Sequence, residues 1–118
     1  MTGRTWYITT DSSECVISTE DDAMKHLMSV KDGSSEFMVL EPEPGSETDF
    51  FQTSAWTDGV VLGRSYVAEI RTPSADGFRQ SRLRTKDFDE ILRAAECYIH
   101  SETPCDGKWV DVTDEFLD

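Results

Sequence analysis

Basic side chains are the scarce class in this chain: 11 Lys and Arg stand against 24 Asp and Glu, a formal net charge of −13 on 118 residues. A protein that grips nucleic acid or an anionic membrane does so by neutralising phosphate with Lys and Arg, so this balance speaks against direct binding of either. Long apolar runs are missing as well. No stretch approaches the roughly 18 to 20 consecutive apolar residues that span a bilayer, and the opening MTGRTWYITTDSSE has no cationic region leading into an apolar one. Neither a membrane span nor an export signal is expected. Cysteines are few: Cys15, Cys97 and Cys105 form an odd set at irregular spacing, which does not suit a secreted disulfide framework. Reduced thiols in a cytoplasmic protein are the expectation.

Catalytic and cofactor motifs are lacking too. The two histidines, His26 and His100, lie in no recognisable motif, and there is neither a G-x-S-x-G elbow nor a glycine-rich phosphate loop. Nucleophilic catalysis needs a Ser or Cys beside a base that a third group orients. The sequence nominates no such trio, so both histidines read as ordinary surface or boundary residues. Cys97, His100 and Cys105, with Asp106, come nearest to a metal site, but C-x2-H-x4-C lacks the paired arms of a zinc motif. Cys97 also lies beside an apolar stripe, where it packs as a small hydrophobe. No catalytic residue, cofactor or metal is expected.

What is present suffices for one core. Three Trp, six Phe and three Tyr are spread along a chain of ordinary single-domain length, which buries about two thirds of its unfolded surface on folding. One domain over residues 1–118 is expected. Thr5–Thr10 is rich in β-branched and aromatic residues and reads as a first strand ending at the turn formers Asp11-Ser12-Ser13. Ser18 or Thr19 caps a helix over about residues 20–31, with Glu20, Asp21 and Asp22 in its first turn and Gly33 ending it.

Strands follow at Glu36–Glu41, closed by Pro42 and Pro44, then at Asp49–Trp56, at Tyr66–Thr72 and at Phe78–Arg84, the last plausible near a sheet edge. A turn is expected over Pro73–Gly77. Thr85 caps a second helix whose Phe88, Ile91, Leu92, Ala95, Tyr98 and Ile99 form one apolar stripe, and Trp109–Val112 makes a last short strand. The expected fold is therefore α+β, an antiparallel sheet of about five strands with two helices on one face, in the order β-α-β-β-β-β-α-β. In Tyr66–Thr72, Tyr66, Ala68 and Ile70 suit the covered face, which leaves Val67, Glu69 and Arg71 toward the open one.

Charge is unevenly distributed. Residues 1–63 hold 3 basic and 12 acidic side chains, residues 64–93 hold 7 and 5, and residues 94–118 hold 1 and 7. Within the first block, Glu41, Glu43, Glu47, Asp49 and Asp58 lie beside Phe50, Phe51 and Trp56. Interfaces use aromatic anchors for energy and charge for steering. At this level Phe51 and Trp56 are equally well core residues, and the carboxylates equally well a solvated loop.

The succession EFMVLEPEPG, DFFQTSAWTDG, YVAEIR, FRQSRLR and DFDEILRAAECYI followed by Trp109 resembles small bacterial immunity proteins of polymorphic-toxin and contact-dependent inhibition systems. The features that carry the likeness are Phe51-Gln52, Glu69-Ile70-Arg71 and Trp109. Val60–Gly63 looks inserted relative to that pattern, which leaves open whether Gln52 and Glu69 face the same way. The resemblance implies a non-catalytic cytoplasmic inhibitor of a cognate toxin, often a basic nuclease. The candidate partner-binding residues are Glu41, Glu43, Glu47, Asp49, Gln52, Trp56, Asp58, Glu69 and Arg71. Two other readings remain: a phage or mobile-element anti-defence protein aimed at a host nucleic-acid-handling effector, and a small enzyme or ligand-binding module using the open sheet face.

Overall fold

Alternation of buried and half-exposed side chains builds the sheet from its first strand. In Trp6–Thr10 (β1), residues 6, 8 and 10 are buried and residues 7 and 9 are not. This computed structural model describes residues 5–11, 13–57, 64–100 and 109–116, with the side chains of residues 56, 57 and 64 excepted. The described residues form seven strands in one antiparallel sheet. After β1 come Glu14–Ile17 (β2), Phe37–Glu41 (β3), Phe50–Thr57 (β4), Arg64–Ser74 (β5), Gly77–Thr85 (β6) and Val110–Asp111 (β7). Their spatial order is β2-β1-β3-β4-β5-β6-β7.

The α+β class and the antiparallel sheet agree with the sequence reading, whereas the strand count and order differ. The extra strand is β2, which pairs Ile17 with Trp6 and Cys15 with Ile8. It has four residues and buries only Ile17, too short a pattern for alternation to register. The chain order becomes β-β-α-β-β-β-β-α-β, closed by a 3₁₀ turn at Thr113–Phe116.

Both helices pack on one face. In Glu20–Asp32 (α1), the Thr19 hydroxyl accepts the Asp22 N–H at 3.2 Å, and Gly33 leaves the helix at φ 90°, a conformation that favours glycine. In Phe88–Ile99 (α2), the cap is Asp87, whose carboxylate accepts the Asp89 N–H at 3.0 Å. Thr85 was the expected cap, but β6 runs on through it to pair with Tyr66, so the helix starts only after the chain has left the sheet. Thr85 supports the entry by accepting the Asp87 N–H at 3.0 Å.

The turn expected over Pro73–Gly77 is also tighter. β5 continues to Ser74, paired with Gly77. Proline is tolerated there because pairing with β4 ends at Arg71, so Pro73 has a strand neighbour on one side only.

The core lies between the helices and the inner sheet face. Trp6, Ile8, Met38, Leu40, Phe51, Ala68 and Leu83 meet Leu27, Val30, Ile91 and Ala95, all at or near zero exposure. Each large apolar side chain among them contributes about 1.5–3 kcal/mol through burial. Tyr98 stacks edge-on to Trp6, with centroids 5.4 Å apart. Phe51 is therefore core, not a partner anchor.

Candidate functional site

Strand pleating sends Tyr7, Val16, Phe37, Val39, Phe50, Gln52, Val67, Glu69 and Arg71 to the sheet face away from the helices. As the alternation in β5 required, Tyr66, Ala68 and Ile70 are buried while Val67, Glu69 and Arg71 point outward. Gln52 and Glu69 are direct cross-strand partners, which settles their relative facing. They border a depression of about 310 Å³ with Phe37, Val39, Ser54 and Val67. A second depression, of about 500 Å³, lies between β2, β1 and the β3–β4 loop, where Tyr7, Thr9, Val16, Glu14, Glu41 and Pro44 contribute to its wall.

This outer face is not uncovered throughout. The C-terminal 3₁₀ turn lies over β6, and beneath it charge is paired internally. The Arg71 guanidinium sits 3.8 Å from the Phe78 ring centroid, 5.0 Å from that of Phe50 and 5.1 Å from that of Phe116. Its Nε donates to Gln80 Oε1 at 2.6 Å, and a terminal nitrogen donates to the Glu47 carbonyl oxygen at 2.9 Å. The Gln80 amide in turn donates to the Glu69 carboxylate.

Arg82 completes the chain of contacts. It lies 3.5 Å from Glu69 and makes a two-pronged pair with Glu115 at 3.1 and 3.2 Å. Burial disfavours its charge, but the Glu115 hydrogen bonds and the Glu69 charge outweigh that and hold Arg82 above its ordinary value. The Glu69 and Arg82 side chains keep only 13% and 19% of their exposure. Two of the candidate binding residues, Glu69 and Arg71, thus have strong partners within the chain itself.

The acidic loop behaves differently. Glu43 and Glu47 are exposed, Glu41 accepts the Ser46 N–H at 3.2 Å, and Asp49 accepts the Tyr98 hydroxyl at 2.7 Å. Among the described residues, no Lys or Arg forms an ion pair with any of these four. Two residues beyond Tyr98, His100 caps α2 and lies 3.2 Å from Glu20 in the first turn of α1. The C-terminus of α2 therefore touches both the β3–β4 loop, through Tyr98 and Asp49, and the acidic first turn of α1, through His100 and Glu20. That helix end has no basic residue in its last turn, so its own partial negative charge adds to theirs.

The backbone of Trp56 pairs with Ser65 in the β4–β5 ladder, while its side chain and all of Asp58 lie outside the described residues, as do Val60–Gly63 and Cys105. One contact went unforeseen. Cys15 Sγ lies 3.2 Å from His26 Nε2, joining a strand and a helix 11 positions apart that no sequence motif links. Only recognition of β2 as a strand beside α1 would have brought the two together. Among the described residues there is no group of three or more His, Cys, Asp or Glu placed to hold a metal ion, and no helix long and apolar enough to cross a membrane.

No protein-family model matches the chain, and neither a curated protein nor a solved structure does.

Proposed function

We propose that the protein is a non-catalytic binding protein that covers a cationic site on another protein, in the manner of an immunity protein neutralising a basic toxin. The observation that carries this reading is the adjacency of two surfaces. Glu41 closes β3 on the outer face and begins the acidic loop, so the apolar floor of Tyr7, Val39 and Val67 runs into a rim of carboxylates that have no cationic partner among the described residues. An apolar floor with a charged rim is how interfaces combine affinity with steering. Glu69 and Arg71 then serve mainly to hold the floor in shape.

Co-purification from the native host identifies the partner, and association rates measured across ionic strength test the mode of binding. A basic partner whose on-rate falls steeply as salt rises supports the reading, because steering between opposite charges is screened within about 10 Å at 0.1 M salt. An acidic or neutral partner, or an on-rate indifferent to salt, removes it.

A further inference from the structure

Cys15 borders the second depression, but its thiol meets His26 on the helix side of the sheet, and that contact has its own chemistry. Cys15 sits on β2, an outermost strand of the sheet, with its thiol toward α1 and half-buried. His26 Nδ1 is 2.8 Å from the Asp22 carbonyl oxygen, one helical turn back. A carbonyl only accepts, so Nδ1 carries the proton. In the neutral ring Nε2 is then the bare nitrogen, and it faces Cys15 Sγ at 3.2 Å. Nucleophile, base and a group that orients the base are thus in place, which is the arrangement that activates a thiol. Cys97, 4% exposed within the α2 core, provides an internal contrast.

The geometry points to Cys15 as a site of reversible thiolation, with His26 as its base and a small-molecule disulfide as the co-reactant. His26 Nε2 takes the thiol proton. The thiolate attacks one sulfur of the disulfide, a new S–S bond forms to Cys15, and the old S–S bond breaks. The departing thiolate takes the proton from the imidazolium and leaves as the free thiol. One disulfide is exchanged for another, with no external oxidant or reductant. The adduct occupies the space between β2 and α1, so the modification reports on, and loosens, that edge of the sheet.

Glutathione disulfide is the probe, with site-resolved mass spectrometry following Cys15 and Cys97 separately. Cys15 in the folded chain should react about tenfold or more faster than the same cysteine in the urea-unfolded chain at equal pH, since exchange follows the thiolate and general base catalysis is commonly worth about 10² or more. Simple half-burial predicts the opposite, and a folded-state rate at or below the unfolded one overturns the proposal. His26→Gln keeps a hydrogen-bonding side chain but cannot take the proton, and should abolish the folded-state advantage while Cys97 stays protected. Undiminished or faster Cys15 modification in that variant, with Cys97 protected, overturns it too. If Cys97 becomes reactive, the variant has opened the core, and the wild-type ratio alone decides.

Discussion

The two halves of the outer sheet face use charge in opposite ways. Toward β6, Arg71, Gln80, Glu69, Arg82 and Glu115 form a continuous set of contacts beneath the 3₁₀ turn. Toward β3 and the β3–β4 loop, the carboxylates of Glu41, Glu43, Glu47 and Asp49 form no ion pair with a Lys or Arg among the described residues. Identical side-chain types therefore have different consequences. A charge that is desolvated and paired holds the chain together, and removing one partner strands the other; a charge left in water hardly affects folding and is available to a partner molecule.

Arg71→Ala should give the largest effect, because it breaks the paired half at its centre. The Gln80 side-chain amide oxygen and the Glu47 main-chain carbonyl lose a donor, and three aromatic rings lose their cation. Stranding the buried Gln80 amide costs about 1–3 kcal/mol and losing half-exposed cation–ring contacts about 0.5–1, so a loss of about 1.5–4 kcal/mol is expected in denaturant unfolding. A loss under about 0.5 kcal/mol, the range of ordinary surface changes, would mean that the two halves do not differ.

Reversing the four loop carboxylates, Glu41→Lys with Glu43→Lys, Glu47→Lys and Asp49→Lys, should act on the other axis. Association with a basic partner should slow by about tenfold or more at low salt, while the exposed Glu43→Lys and Glu47→Lys each move stability by no more than about 0.5 kcal/mol and Asp49→Lys costs about 1 kcal/mol through the lost Tyr98 hydrogen bond. Collapse of the fold with binding retained would make the loop structural.

The sequence made one half of this contrast visible and concealed the other. Alternation in β5 assigned Val67, Glu69 and Arg71 to the outer face, and the prolines and carboxylates of Glu41–Asp49 were readable as a solvated loop, because both signals are local. The pairing of Glu69 with Arg82 and of Arg82 with Glu115 is not local. It depends on the β5–β6 register and on the chain returning after α2 to lay Thr113–Phe116 over β6. Phe78–Arg84 could thus be read as a charged strand near an edge, yet nothing in the sequence told which of its arginines had carboxylate partners. The Cys15–His26 pair was hidden for the same reason, since four residues of β2 were too few to announce a strand.

Tyr98→Phe tests the side-chain tether between Asp49 of the acidic loop and the core. It removes the hydroxyl that donates to Asp49 while leaving the ring against Trp6 and Phe51. The expected loss is about 1 kcal/mol, the net worth of one hydrogen bond to a charged group at a partly open site. Hydrogen exchange should quicken in residues 42–49 before anywhere else. Uniform quickening across the sheet would place Asp49 with the paired half.

The smallest expected effect is at Asp111, where the paired half reaches solvent. The Thr113 N–H donates to its carboxylate at 2.9 Å and Arg79 lies 3.5 Å away. The Thr113 hydrogen bonds first, and then the Arg79 charge, hold this carboxyl below its ordinary value of 3.8. A carboxyl that binds its proton less tightly in the folded chain than in the unfolded chain stabilises the fold fully above the unfolded value, and that contribution is lost as pH falls through the folded one. Asp111→Asn should therefore lie slightly below wild type at neutral pH, and the two stability curves should converge below pH 3.8. Curves that stay parallel through that range would show that Asp111 contributes through shape and not through charge, and the 3₁₀ turn would then be held by Glu115 and Arg82 without its help.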